Sequence, residues 1–182
     1  MEYNPYKRQG QMDYLQSYFY TDAIFEHNHL LSNDDFKMVV INSWKYLVDN
    51  GKIKIYGYVI MPNHIHLLWQ MLDLNGKESP AGSFAKFTVH QFKKMLTISN
   101  PLELEKYRVQ KSDRAYNFWE RDPLAIAMTM EASLLQRLAY IHRNPINPKW
   151  SLAILPEEYR WSSAKFYEFG IDEFGILSDY RL

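Results

Sequence analysis

The chain's apolar positions are most regular near its middle. In KIKIYGYVI (52–60) and HIHLLWQM (64–71), runs rich in Ile, Val, Tyr and Trp follow the two-residue period of strands. Met61-Pro62-Asn63 separates them, and Pro followed by Asn is turn chemistry, so the two runs predict a hairpin. Upstream, Ser17–Leu31 is rich in Tyr, Phe and Ile and predicts a first strand. Ser32 or Asn33 then caps a helix over 34–49 that Asn50-Gly51 ends. Downstream, a second helix fits Ser83–Leu96. Phe84, Phe87, Phe92, Met95 and Leu96 form its apolar side, and Lys86, His90, Lys93 and Lys94 form the other. Residues 97–115 are polar and predict a long connection. Tyr116–Met128 predicts a further strand interrupted at Pro123, and Met130–Asn144 a helix stopped by Pro145.

The predicted order is β-α-β-β-α-β with one helix appended. That is the split βαβ arrangement of ferredoxin-like and RRM-like α+β folds: an antiparallel sheet, helices on one face and an added C-terminal helix. There is no repeat, low-complexity tract or linker. The expectation is one domain over 1–182, with 1–16 an N-terminal arm and 171–182 a C-terminal tail.

Composition narrows the class. Hydrophobic residues make up 47% and charged residues 23%, as in globular rather than disordered chains. No apolar run reaches the ~18 residues of a membrane helix, and MEYNPYKRQGQMDYLQ lacks a signal peptide's apolar core. Absence of cysteine excludes disulfides and thiolate zinc sites. A cytoplasmic protein without a membrane partner is expected. A net charge of zero argues against a protein that coats nucleic acid, yet the charge is uneven. Phe84–Arg114 carries seven Lys/Arg against three Asp/Glu, and Arg137–Lys149 carries three basic residues and no acidic one. Aromatics at 16% suit base stacking as well as core filling.

Alternation places His64, His66, Leu68 and Gln70 on one face of their strand, and Ile65, Leu67, Trp69 and Met71 on a core face. The two imidazoles therefore stand side by side at a spacing suited to one cation. An isolated H-x-H is more often a pair of ordinary histidines, and a metal site needs a third ligand. On the helix EASLLQRLAYIHRN, Leu134, Leu138 and Ile141 cluster, flanked by Leu135 and His142, while Ser133, Arg137, Tyr140 and Asn144 gather opposite. A tyrosine placed for packing belongs nearer the apolar stripe; an exposed tyrosine is the plainer alternative. His142 falls on the apolar side and reads as structural, as does the second H-x-H, His27 and His29.

Together these features resemble the HUH single-tyrosine transposases, above all the REP-associated tyrosine transposases and related insertion-sequence enzymes. YVIMPNHIHLL resembles the family's metal-binding strand and YIHRNPINPKW its nucleophile helix. FWERDPL (118–124) and PEEYRWSSAKFY (156–167) resemble two further stretches in the same order, so the likeness covers about residues 17–170. Insertion-sequence members more often carry Gln at the position of Asn144, and the Gly-Thr-Trp-like motif of some REP-associated members is absent.

The resemblance implies a transposase-like endonuclease and strand transferase acting on hairpin-forming single-stranded DNA. Tyr140 would be the nucleophile, giving a 5′-phosphotyrosine and a free 3′-hydroxyl, with Mg²⁺ or Mn²⁺ held by His64, His66 and Asn144. Related enzymes include dimers that exchange the tyrosine helix and monomers, so a homodimer stays open. Candidate DNA contacts are Arg137 and Arg143 beside the nucleophile, the basic helix face Lys86, His90, Lys93 and Lys94, and Arg121. Two other classes stay open: a non-catalytic single-strand-binding module of ferredoxin-like fold, although the RNP-type signature is missing, and a metal-dependent phosphodiesterase that uses water.

Overall fold

The computed structural model describes residues 6–7, 12–110 and 115–181. Five strands form the sheet: β1 (Tyr6–Lys7), β2 (Ser17–Ala23), β3 (Ile53–Ile60), β4 (His64–Met71) and β5 (Leu124–Ala127). Their order is β1-β5-β2-β4-β3, with every neighbouring pair antiparallel. Without the two-residue edge strand, β5-β2-β4-β3 is the order expected of a split βαβ fold. The hairpin β3-β4 turns at 61–63 as expected.

Strand register sorts the side chains. Tyr18, Tyr20 and Asp22 stand opposite Trp69, Leu67 and Ile65 on one face. Helices α1 (Asp34–Asp49) and α2 (Pro80–Ser99) belong to this side. Trp44 of α1 packs its ring at 5.5 Å from Tyr58 and 5.9 Å from Phe84 of α2, while Phe92 packs between Phe36 and Phe118. α1 starts where Asn33 caps it, its side chain accepting from the Asp35 amide. α2 begins earlier than its apolar pattern suggests because Ser79 caps it and Pro80 occupies the first turn.

Phe19, Thr21, His64, His66 and Leu68 point to the other face, across which α4 (Glu131–Arg143) lies. The two helices of the split βαβ units thus share one face, and the appended helix takes the opposite one. A bulge at Ile55/Gly57 lets Ile55 and Tyr58 both reach the core and leaves Gly57 toward α4. A Cβ on Gly57 would come within 2.5 Å of Leu138 Cδ1, so the missing side chain lets α4 approach the sheet. Gly57→Val is expected to cost about 1–3 kcal/mol through overpacking. Chemical denaturation should show that cost shrinking in a Leu138→Ala background, where room is restored.

The C-terminal segment covers the outer edge of β3. The Ile60 amide donates to Trp161 O at 2.8 Å, the Tyr58 amide to Ser163 Oγ at 3.0 Å, and the Ser178 amide to Ile55 O at 2.7 Å. His142 Nε2 lies 2.9 Å from Ser163 Oγ, tying α4 to this cover. Burial pulls the His142 pKa down to about 4, so the ring is neutral at pH 7.

Three sequence expectations change. The first strand stops at Ala23, and the chain then makes two short 3-10 turns, with Glu26 and His27 both at φ 53°. The connection 97–115 contains a short helix, α3 (Pro101–Glu105), capped by Asn100. The last strand shrinks to Leu124–Ala127 because Pro123 offers no N–H to a ladder; residues before it make isolated bridges such as Ile24 with Trp119. A short α5 (Ala164–Phe169) lies in the C-terminal cover. Among the described residues, no helix is long and apolar enough to cross a membrane.

Candidate functional site

A cleft of about 620 Å³ opens where β2 and β4 meet the C-terminal end of α4 and the loop 144–150. His64 lines it, and His66 lies buried beside His64 with ring centroids 4.8 Å apart. Thr21, the cross-strand partner of His66, places Oγ1 at 2.7 Å from His66 Nδ1. His64 Nδ1 lies 2.7 Å from Asn63 Oδ1. Asn63 Nδ2 donates to His27 O, which turns the amide oxygen toward the ring, so His64 Nδ1 is the donor and Nε2 keeps its lone pair.

His66 Nε2 is buried and has no hydrogen-bond partner among the described residues. Such an orphan costs about 1–3 kcal/mol, and its neighbour is another imidazole with Nε2 left over. Burial, helped by Lys149 and His27, pulls His64 down to about 4. Burial, with His64 and Arg137, pulls His66 down to about 3. Both rings are therefore neutral at physiological pH, the form that ligates metals.

Tyr140 sits above them. Its ring centroid lies 5.1 Å from that of His66 and 6.1 Å from that of Phe19, yet 48% of the residue stays exposed. Phe19 stacks on His66 at 5.4 Å, and the Arg137 guanidinium lies 4.9 Å from the Phe19 centroid. One turn after Tyr140, Asn144 is 9% exposed and lines the same cleft, with Arg143 beside it. The carbonyl end of α4 carries the negative end of its dipole here, which favours a cation. Among the described residues, none lining the cleft is acidic, and no three His, Cys, Asp or Glu side chains converge on a metal position. A cation would need the Asn144 amide oxygen and oxygens from outside the chain.

The structure therefore brings together His64, His66, Tyr140, Asn144 and Arg143, and sets Arg137 one layer back on Phe19. It places Lys86, His90, Lys93, Lys94 and Arg121 elsewhere, on the α1–α2 side. Lys86 bonds Glu78 at 2.6 Å, and Lys93 lies 5.1 Å from the Tyr116 centroid. The basic helix face is a separate surface from the tyrosine cleft, because α2 and α4 cover opposite faces of the sheet.

Some cleft residues are not foreseen. His27 read as structural, but its left-handed backbone turns it into the cleft lining. Lys149 and Trp150 line it too; the Trp150 ring lies 5.7 Å from His64, with Lys149 Nζ 5.1 Å from its centroid. A Lys-Trp pair in the loop after the tyrosine helix is the one signal that could have marked them.

On the opposite face Asp22 is 3% exposed. Its Oδ2 accepts from the Tyr20 hydroxyl at 3.0 Å, and its Oδ1 has no partner among the described residues. Burial pushes its carboxyl up to about 8, against the lowering effect of that hydrogen bond. The folded chain then holds a proton that the unfolded chain releases near pH 3.8, so this group's contribution to stability falls as pH rises toward 8. Asp22→Asn is expected to stabilise the protein by about 2 kcal/mol at pH 8 and hardly at pH 4, read by urea denaturation at both.

No family model and no curated sequence matches the chain. Among solved structures, a REP-associated tyrosine transposase bound to a REP hairpin superposes with a TM-score of 0.57 at 15% identity. The match covers 93% of this chain and 90% of that one. At this identity the likeness shows a shared fold.

Proposed function

We propose that the protein is a single-stranded DNA endonuclease and strand transferase in which Tyr140 is the nucleophile. The observation that carries this reading is the half-exposed Tyr140 ring set against His66, in a cleft that also holds His64 and Asn144. The shared fold with a transposase solved on a REP hairpin supports it, and makes hairpin-flanked single strands the substrate class to test.

The Tyr140 oxygen bonds to phosphorus as the P–O3′ bond breaks, leaving a 5′-phosphotyrosine and a 3′-hydroxyl. Phe19 and His66 hold the ring edge-on, so the hydroxyl is aimed before substrate arrives. Arg143 and Lys149 offset phosphate charge, and Trp150 offers a face for a neighbouring base. Among the described residues no carboxylate lines the cleft, so the Tyr140 proton passes to solvent. The phosphotyrosine retains the energy of the broken bond, and a second 3′-hydroxyl reseals the strand without ATP.

His64, His66 and the Asn144 amide oxygen fit a divalent cation, Mg²⁺ or Mn²⁺, because two neutral imidazoles and an orphaned Nε2 meet at the helix's carbonyl end. When bound, it supplies charge neutralisation at the phosphate. Thr21 and Asn63 fix the orientation of the two imidazoles.

Labelled single-stranded oligonucleotides from the DNA flanking the gene, each containing a hairpin, test this with Mg²⁺ or Mn²⁺ on a denaturing gel. A protein–DNA adduct that disappears with EDTA is expected. Tight binding with no adduct under either metal would instead favour a binding module.

A further inference from the structure

Thr21 and Asp22 are neighbours on β2, and strand alternation sends them to opposite faces. Thr21 lines the tyrosine cleft and holds the buried His66, whereas Asp22 opens into a second cleft of about 650 Å³ beside α2 and residues 117–121. That volume is within the range of small-molecule sites.

The lining of this cleft is layered. Deep inside lies Asp22, one buried carboxyl oxygen of which has no partner among the described residues, with Asn117 also buried nearby. Trp119 adds an aromatic wall, its indole N–H already donated to Thr88 at 2.8 Å. At the mouth stand the exposed cations Lys86, Lys93 and Arg121, with one carboxylate, Glu120, whose Oε1 accepts from the Glu26 amide. Three cations against one carboxylate disfavour an amine. A bare phosphate would leave the carboxyl unused. Among the described residues no metal-binding cluster forms here. The ligand that fits has an anionic outer part, a flat body and a neutral hydrogen-bonding inner edge, which is the chemistry of a nucleotide.

We propose that this cleft is a base-reading site: one nucleobase of the DNA strand enters it, its edge met by Asp22 and Asn117 and its phosphate by Lys93 and Arg121. Burial pushes the Asp22 carboxyl up to about 8, so at neutral pH it is an uncharged acid that both donates and accepts and does not repel the phosphate. The site rests on the reading of the protein as a single-stranded DNA enzyme. It lets a strand bent around the end of β2 be read on one face and cut on the other.

Fluorescein-labelled tetranucleotides dA4, dC4, dG4 and dT4, titrated in EDTA and followed by anisotropy, test it. One base is expected to bind about tenfold more tightly than the others. Asp22→Leu, which removes both donor and acceptor, should reduce that preference to under about twofold, while Lys93→Gln with Arg121→Gln should weaken all four together. Amide spectra of the wild type with the preferred tetranucleotide should show shifts at Asn117 and Trp119, which decides the matter even where a variant fails to fold. Equal binding of all four, a preference that survives in folded Asp22→Leu, or shifts confined to 144–150 would overturn the proposal. The adduct assay is independent. An adduct with no Asp22-dependent preference sinks this site alone, and the preference without an adduct sinks the nuclease reading alone.

Discussion

Tyr140→Phe is expected to reduce covalent adduct and strand cleavage by at least ~10³-fold while leaving DNA affinity within about threefold. The substitution removes one oxygen and keeps the ring, whose contacts with Phe19 and His66 are made by carbon. Fold and cleft should therefore survive, and a thermal melt should shift by no more than about 2 °C. Adduct on a denaturing gel and binding by anisotropy, measured on the same preparation, separate chemistry from recognition. Cleavage that continues in Tyr140→Phe, releasing free ends, would replace the tyrosine mechanism with attack by water.

His66→Leu is expected to abolish cleavage as thoroughly, yet to make the protein more stable. His66 is 5% exposed with Nε2 buried and unpaired among the described residues, a standing cost of about 1–3 kcal/mol that leucine does not bear. The gain has a pH signature. The unfolded chain takes up a proton near pH 6.5, whereas the folded ring, held down to about 3 by burial, His64 and Arg137, does not. Wild-type stability is therefore lost as pH falls below 6.5, and the leucine variant escapes that loss, about 2 kcal/mol at pH 5. Urea denaturation at pH 5 and pH 8 should show the larger gain at pH 5. Mn²⁺ should raise the melting temperature of the wild type and not of the variant. A variant less stable at both pH values would mean that His66 is kept for packing rather than for ligation.

Stability given up at His66 and Asp22 concentrates cost at two clefts on opposite faces of one sheet. At both, a buried polar atom lacks a partner among the described residues, as the indole nitrogens of Trp44 and Trp69 in the core also do; what sets these two apart is the cleft beside each.

Much of this was legible in the residues. Asn33 and Asn50-Gly51 bound α1, and the hairpin, the order of elements and the face shared by His64 and His66 follow from local rules: caps, turn residues and two-residue alternation act within a few positions. The spacing from Tyr140 to Asn144 likewise needs only one helical turn. Other features depend on what lies across the fold. Whether α4 covers the histidine face was decided by a bulge that turns Gly57 toward Leu138, 81 positions later in the chain. The orphaned Nε2 of His66 arises only once Thr21, Phe19 and Tyr140 close around it. His27, Lys149 and Trp150 joined the cleft through loop conformations, and the basic face of α2 left it because α2 packs on the other side of the sheet. The sequence by itself determined which local elements form and which side chains share each of their faces, because those depend on backbone periodicity. Only the tertiary structure decided which faces meet, because burial and desolvation depend on neighbours that lie far away along the chain.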